Sequence, residues 1–239
     1  MRIGVLGTGG MADALATHWV RAGHEVTVGG RDVDKAERLA TRIGGGAKPA
    51  SLRVAAEFGQ VVLAALPFDA GVSVARELRV ALDGKVLLDC SNPVGPGFRL
   101  LTEGGPSAAR QLAAAAPGAH VVKAFNLCHE DVWRMRPPVF DGRPLAVRVC
   151  GDDGAALARV RELVRDVGCA PVAGGGLERA GSWRRPPRCS SRCGSPSQRM
   201  SRRSLLRWPM RPDRAVSMQK PARGLMADGV VVRRAAGGE

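Results

Sequence analysis

Tyrosine is absent from the 239-residue sequence, and aromatic residues as a class make up only 4% of it. The absence of tyrosine excludes every mechanism in which a tyrosine hydroxyl is the catalytic acid, including the usual chemistry of short-chain reductases. No apolar run approaches the roughly 20 residues that a membrane-spanning helix requires. The N-terminus, Met-Arg followed by the strand-like Ile3-Gly4-Val5-Leu6, lacks the pattern of a secretory signal. We therefore expect neither a membrane protein nor a secreted one.

Paired cysteine motifs are also absent. The six cysteines lie at positions 90, 128, 150, 169, 189 and 193, and no two of them have the Cys-x-x-Cys spacing. Because such spacing is typical of zinc sites and redox pairs, we expect neither a metal site nor a disulfide framework. The plain interpretation is a cytoplasmic protein with reduced thiols.

Acidic residues are scarce in one part of the chain. Residues 181–239 contain 14 of the 36 basic residues but only 3 of the 22 acidic ones, so the formal net charge of +14 belongs mainly to this segment. Residues 181–218 are rich in Arg, Ser, Pro and Cys without an apolar period, which is typical of a chain that cannot bury a core. The sequence predicts a folded domain over residues 1–180 and a basic Arg/Ser/Pro-rich tail over residues 181–239.

Two explanations of this basic tail stay open. When the codons that residues 182–195 require are read two bases further on, they encode mostly small and aliphatic residues. A frameshift near residue 181 would therefore explain the loss of a C-terminal helix. The alternative is a native, disordered segment. An early stop codon in the shifted frame of the coding DNA would exclude the frameshift.

Short β-branched runs alternate with Ala/Leu/Arg-rich stretches through residue 172. The predicted strands are Arg2–Leu6, Glu25–Gly29, Val61–Ala65, Val86–Asp89, His120–Ala124 and Leu145–Val149. The predicted helices are Met11–Ala22, Asp34–Ile43, Ala70–Leu78, Ser107–Ala115 and Gly154–Gly168, with another opening after Gly176. Because parallel neighbours need crossover connections, this alternation predicts a doubly wound α/β domain with a mostly parallel sheet and helices on both faces.

A glycine-rich loop follows the first predicted strand and opens the first predicted helix. Its sequence is Gly7-Thr8-Gly9-Gly10-Met11-Ala12. Gly7 allows the tight turn, Gly9 lets the backbone approach a pyrophosphate, and Ala12 permits close contact between helix and strand. The free N–H groups at the start of the helix favour phosphate. The pattern predicts a dinucleotide site.

The end of the second strand indicates which dinucleotide is bound. NAD-binding domains place a carboxylate there, whereas this chain has Gly30 and then Arg31, with Lys35 nearby. A guanidinium suits a 2′-phosphate, so we expect NADP. Asp32 follows Arg31, and we expect it to cap the helix that starts near Asp34.

Two further loops follow strands at the edge where ligands of open α/β sheets bind. Leu66-Pro67-Phe68 follows one strand, and Ser91-Asn92-Pro93 follows the next. Pro67 would stiffen a loop beside the nicotinamide, and Asn92 would hydrogen-bond its amide or the ribose. Each segment alone is equally typical of an ordinary strand-exit turn.

With these residues, the sequence resembles the coenzyme F-420-dependent NADP reductases. The matching stretches are Gly7–Ala12, Gly23–Val26, Gly30–Asp32, Ala65–Pro67, Asp89–Pro93, Val122–Asn126, Gly151–Asp153 and Gly174–Ala180. The resemblance implies a Rossmann domain and hydride transfer that depends on positioning, with no catalytic acid or base and no metal. The candidate cofactor-binding residues are Gly7, Thr8, Gly9, Gly10, Met11, Ala12, Gly30, Arg31, Lys35, Leu66, Pro67, Phe68, Asn92, Pro93 and Asn126.

The resemblance also implies partners. A small C-terminal helical piece would complete the pocket of the second substrate, a deazaflavin or a similar small redox acceptor. A homodimer is expected if that segment is intact. The chain departs from the family at Ala12-Asp13, at Gly29-Gly30 (where a Gly-Ser is common) and in the basic tail. We expect His18 at the surface and structural roles for His120 and His129. Trp133–Phe140 is expected to be a packed loop, with a pocket wall or a partner surface as the alternatives.

Three other functions are compatible with the sequence. A β-hydroxyacid dehydrogenase or imine reductase needs a sizeable helical C-terminal domain, and the hydroxyacid enzymes need a lysine on a helix there, whereas residues 181–239 offer only Lys220. A non-catalytic NADP(H)-binding module would bind the cofactor without turnover. Nucleic-acid binding by the basic tail is the weakest alternative, because Trp183 and Trp208 are the only aromatic residues there for stacking.

Overall fold

The computed structural model describes residues 1–96, 101–102 and 104–181. The basic tail, apart from Gly181, lies outside the described residues. The two explanations proposed for it therefore concern residues that the structure does not describe. The described elements are, in chain order, β1 (Arg2–Leu6), α1 (Gly10–Arg21), β2 (Glu25–Gly30), α2 (Val33–Ile43), β3 (Lys48–Ser51), α3 (Leu52–Phe58), β4 (Val61–Ala64), α4 (Phe68–Glu77), β5 (Val86–Asp89), α5 (Ala108–Ala115), β6 (His120–Lys123), α6 (Glu130–Trp133), β7 (Val139–Phe140), β8 (Arg143–Pro144), β9 (Ala146–Gly151), α7 (Gly154–Asp166), β10 (Ala170–Gly175) and the 3-10 helix Leu177–Gly181.

One sheet organises these elements, in the strand order β10-β9-β6-β5-β4-β1-β2-β3. All of its neighbouring strands are parallel except β6 and β9, which pair antiparallel. The chain between β6 and β9 carries only the short α6 and the β7–β8 hairpin instead of a crossover helix, so β9 returns in the opposite direction. The predicted doubly wound, mostly parallel sheet is confirmed.

Helices cover both faces of the sheet, and the strands are apolar on both sides for that reason. Within β4, Val61 and Leu63 join the core under α1, α2 and α7, whereas Val62 and Ala64 join the core under α3, α4 and α5. The alternation follows from the two-residue period of a strand. The carboxyl ends of β1, β4, β5 and β6 consequently meet along one edge.

The structure contains elements that the sequence prediction lacked. The edge strand β3 has four residues, including Pro49, and is largely exposed, so it carries no apolar period. The following α3 has seven residues and is too short for a helical period to stand out. β10 also lies beyond the predicted strands, and the helix expected after Gly176 is a 3-10 helix. None of the described helices is long and apolar enough to span a membrane.

Candidate functional site

The turn between β1 and α1 presents open backbone. Gly7 has φ +120° and donates its N–H to the Gly29 carbonyl at 2.9 Å, and a side chain at position 7 would collide with the Ala65 carbonyl. Gly9 is the N-cap of α1, and no side chain caps the helix. A Cβ built on Gly9 has no heavy atom within 4 Å. The first N–H groups of α1 are therefore accessible to an anion.

A pocket of about 620 Å³ lies in front of this turn, at the carboxyl ends of β4, β5 and β6. Its lining is mainly apolar. Of the predicted site residues, it brings together Gly9, Gly10, Met11, Leu66, Pro67, Phe68, Asn92 and Asn126. Gly7, Thr8, Ala12 and Pro93 do not line it; Ala12 and Pro93 are buried beside it. Predicted residues from four separate segments of the chain thus line the same pocket.

Two asparagines join the strand ends inside the pocket. Asn92 Nδ2 donates to the Asn126 carbonyl at 2.6 Å, and Asn126 Nδ2 donates to Asn92 Oδ1 at 3.3 Å. Asn126 is only 6% exposed, yet its Oδ1 has no hydrogen-bond partner among the described residues. Because an unpaired buried acceptor is costly, a ligand N–H that reached this oxygen through a small movement of the side chain would relieve that cost.

A buried ion pair fixes the backbone that carries these asparagines. Lys123 Nζ lies 2.8 Å from Asp89 Oδ2 and also donates to the Ser91 carbonyl. The second carboxylate oxygen of Asp89 accepts the Ser91 N–H at 2.8 Å. A buried ion pair offsets the cost of its desolvation only when its geometry is good and its remaining lone pairs and N–H groups are hydrogen-bonded. The ends of β5 and β6 are thereby held in register.

Three aromatic rings pack together behind the pocket, and Phe125 is the one of them that lines it. The Phe125 ring meets Trp19 edge-on at 6.2 Å and Trp133 edge-on at 5.4 Å between centroids. Phe125 has φ 60°, a left-handed conformation that costs a non-glycine residue about 1–3 kcal/mol. Phe125 is buried by these ring contacts, and the next residue, Asn126, lines the pocket. Of the predicted Trp133–Phe140 loop, Trp133 is thus core.

The expectation of a surface position for His18 is wrong. His18 lies on α1 but is buried, and its Nε2 is 2.8 Å from the Trp133 carbonyl. Burial lowers the pKa of this imidazole from its usual 6.5. The period of α1 did not reveal this contact, because the partner is a backbone group 115 residues away. His120 begins β6, and His129 is the N-cap of α6 and lines the pocket, so the structural roles of both stay predictions.

Comparison with known proteins points to the same family as the sequence motifs. Residues 2–93 match the family model described as NADP oxidoreductase, coenzyme F420-dependent. An F420-dependent NADP reductase from Methanothermobacter marburgensis is 33% identical over 141 residues, which cover 53% of this chain and 63% of that protein. Its N-terminal region is therefore similar to the coenzyme F420-dependent NADP oxidoreductase family.

Two further proteins are similar to this chain, and the first of them is much longer. Metalloreductase STEAP3 from Rattus norvegicus is 32% identical over 179 residues, covering 75% of this chain but 35% of the metalloreductase. The chain therefore spans less than two thirds of either relative. A solved structure assigned as an F420-dependent NADP-reductase from Arthrobacter sp. FB24 has a TM-score of 0.67 and 26% identity, covering 75% of this chain and 87% of that one. The resemblance indicated by the motifs is confirmed.

The family motifs did not reveal an acidic contact above the glycine loop. Glu130, the first residue of α6, lines the pocket, and a side chain at position 10 would collide with its carboxylate. α6 is held there by Arg134, which pairs with Asp13 of α1 and donates to the Gly10 carbonyl at 3.4 Å. Asp13 is buried and also pairs with Arg42 at 3.1 Å. In the sequence, this contact was indicated only by the departure from the family pattern at Ala12-Asp13.

The predicted 2′-phosphate residues are divided between two places. Gly30 and Arg31 line a second cleft of about 360 Å³, together with residues of β3, α3 and α4. Lys35 does not line it; its Nζ lies 3.6 Å from Asp32 Oδ2 on the exposed side of α2. Asp32 caps α2 by accepting the Lys35 N–H at 3.2 Å, so the predicted cap is confirmed. This cap lowers the pKa of the Asp32 carboxyl.

Proposed function

We propose that this chain binds NADPH and transfers a hydride between it and a small redox acceptor, with a deazaflavin of the coenzyme F420 class as the first candidate. The observation that carries the proposal is the meeting, in one pocket, of an uncapped glycine loop and the unpaired Oδ1 of buried Asn126. The loop suits a pyrophosphate, and the asparagine oxygen suits the amide N–H₂ of a nicotinamide.

The residues present can receive each part of the dinucleotide. The backbone N–H groups of Gly9, Gly10 and Met11 face the open turn and would hold the pyrophosphate. Arg31 would face the 2′-phosphate at the end of β2. Asn92 and Asn126 would orient the nicotinamide ring, whose far side would pack on Pro67. The 15 predicted cofactor residues thereby have a common ligand, although Lys35, Ala12 and Pro93 would act on it through their neighbours.

The chemistry supplied by a bound nicotinamide is hydride donation and acceptance. The chain itself orients the ring and excludes water with apolar side chains such as Met11, Phe68 and Phe125. Among the described lining residues, His129 and Glu130 are the side chains of types that commonly act as acids or bases, and both lie at the α6 side. Since hydride transfer needs alignment more than proton transfer, no residue is assigned as a catalytic acid or base.

Further parts of the proposal concern the whole protein. We place the cofactor-binding domain at residues 1–180 and the protein in the cytoplasm. The acceptor would enter the open side of the pocket, and a C-terminal helical segment, where intact, would cover it and support a homodimer. These statements rest on the family resemblance and not on the described residues.

The test is calorimetric titration of the purified chain with NADPH and, in parallel, NADH. We expect tighter binding of NADPH, after which stopped-flow reduction of oxidised coenzyme F420 measures hydride transfer. Arg159→Ala, which changes an exposed side chain on α7, serves as a control for purification and handling. Binding of neither dinucleotide by a chain that is folded by circular dichroism would contradict the proposal. Binding without reduction of any acceptor would favour a non-catalytic binding module instead.

A further inference from the structure

We propose that Arg53, assisted by the Ser51 hydroxyl, forms the second half of the 2′-phosphate site opposite Arg31. This inference deepens the proposed function and rests on it. It concerns two residues of the β3–α3 segment, which no motif in the sequence singles out. The chemical group recognised is a phosphate monoester dianion on the adenosine ribose.

Sheet register places these residues beside the end of β2. Gly30 and Ser51 are paired positions in the parallel strands β2 and β3, and both strands end there. The residues that follow β2 and those that follow β3 therefore start from the same edge of the sheet. Arg31, Ser51 and Arg53 line the same 360 Å³ cleft.

Both guanidinium groups in this cleft are available. Arg31 and Arg53 are exposed, and neither makes an ion pair or a side-chain hydrogen bond with another described residue. Glu77 is the one carboxylate among the described lining residues, on the α4 side of the cleft. Two neighbouring cations against one anion leave a net positive charge, which favours a dianionic ligand.

The Ser51 hydroxyl can still donate a hydrogen bond. Its Oγ accepts the Val54 N–H at 3.3 Å as the cap of α3, which uses a lone pair and leaves the O–H proton. That proton can be donated to a phosphate oxygen. Ser51 thus offers the hydroxyl that the chain lacks at position 30.

Local packing explains why position 30 itself cannot supply the hydroxyl. A Cβ at Gly30 would lie 2.9 Å from the Asp32 carbonyl and 3.1 Å from the Thr8 methyl group, so the loop would have to shift. Lys35 is directed to Asp32. Because position 30 has no room for a side chain and Lys35 faces Asp32, the neighbouring strand is a further source of donors at this edge.

The experiment measures dissociation constants of NADPH, NADH, 2′,5′-ADP and 5′-ADP for the full chain by calorimetry. We expect Arg53→Ala to weaken binding of NADPH and 2′,5′-ADP by about tenfold, as for loss of one charge-assisted contact, and to leave NADH and 5′-ADP within about twofold. Ser51→Ala should weaken the same two ligands by about threefold. Arg159→Ala, which removes an equal charge from exposed α7, should change none of them.

A cycle with Arg31 strengthens the test. Because both side chains would bind one phosphate, the effects of Arg31→Ala and Arg53→Ala should not be additive. Unchanged preference for NADPH in Arg53→Ala, or equal losses for phosphorylated and unphosphorylated ligands, would overturn the role of Arg53 while leaving the proposed function standing. Binding of no dinucleotide by the folded wild-type chain would overturn both.

Discussion

Lys123 Nζ and Asp89 Oδ2 lie 2.8 Å apart at the ends of two neighbouring strands, with side chains only 4% and 0% exposed. Removing one partner leaves a buried charge without compensation, which typically costs about 3–5 kcal/mol. We therefore expect Lys123→Met to lower the free energy of unfolding by about 3 kcal/mol in urea denaturation. Lys48→Met, on exposed β3, should leave it unchanged, and an equally small effect at Lys123 would contradict the role of the pair.

The unpaired oxygen of Asn126 yields a prediction about binding with little change in stability. Asn126→Ala removes the acceptor proposed for the nicotinamide amide, so NADPH should bind about five- to tenfold more weakly. The midpoint of thermal unfolding should shift little, because the mutation also removes an unsatisfied buried atom. Calorimetry and a melting curve on the same sample measure the two quantities. Full affinity in the variant would place the nicotinamide elsewhere.

Glu130 is expected to oppose the ligand that the glycine loop attracts. Its carboxylate lies against Gly10, beside the N-terminus of α1, where it competes with a pyrophosphate. Glu130→Gln should therefore tighten NADPH binding by about two- to fivefold at low salt. The matched control is Asp131→Asn, since Asp131 is exposed and does not line the pocket. Weaker binding in Glu130→Gln would instead indicate that the Glu130 carboxylate hydrogen-bonds to the bound dinucleotide.

Sequence patterns predicted those parts of the molecule that depend on local information. The β1–α1 loop carries its function in six consecutive residues, and the central strands are recognisable from continuous apolar runs. β3 and α3 are too short or too exposed to show a period, so Ser51 and Arg53 were not found. The contact of Glu130 with Gly10 depends on the path of the 124–145 connection, and the orphan oxygen of Asn126 depends on the left-handed Phe125. Neither property is visible in composition or spacing.

His18 should make stability depend on pH. Burial lowers its pKa in the folded chain below the 6.5 of the unfolded chain. Below pH 6.5 the unfolded chain therefore binds a proton that the folded chain does not, and stability falls as the pH falls towards the folded pKa. Urea midpoints between pH 8 and pH 5 measure this loss. His18→Asn should lack this component, and an identical pH profile in the variant would exclude His18 as its source.

Thiol reactivity should distinguish the described cysteines. Burial raises the pKa of Cys90 and of Cys169 to about 12, so these thiols should resist alkylation at pH 8. Burial also raises the pKa of Cys128, but this thiol is partly exposed and lines the pocket. Peptide mapping after iodoacetamide should show Cys128 labelled before Cys90 and Cys169, and more slowly with NADPH present. Labelling of Cys90 at the same rate would contradict its burial.

The ring cluster behind the pocket also gives the protein an optical property. Trp19 and Trp133 each touch Phe125, and Phe125 lines the pocket, so both indoles lie one side chain away from whatever fills it. An excited indole transfers its energy to a reduced nicotinamide held at such short range. The chain thus contains an intrinsic fluorescent reporter, and quenching of its emission can follow the arrival and departure of a reduced dinucleotide without any attached dye.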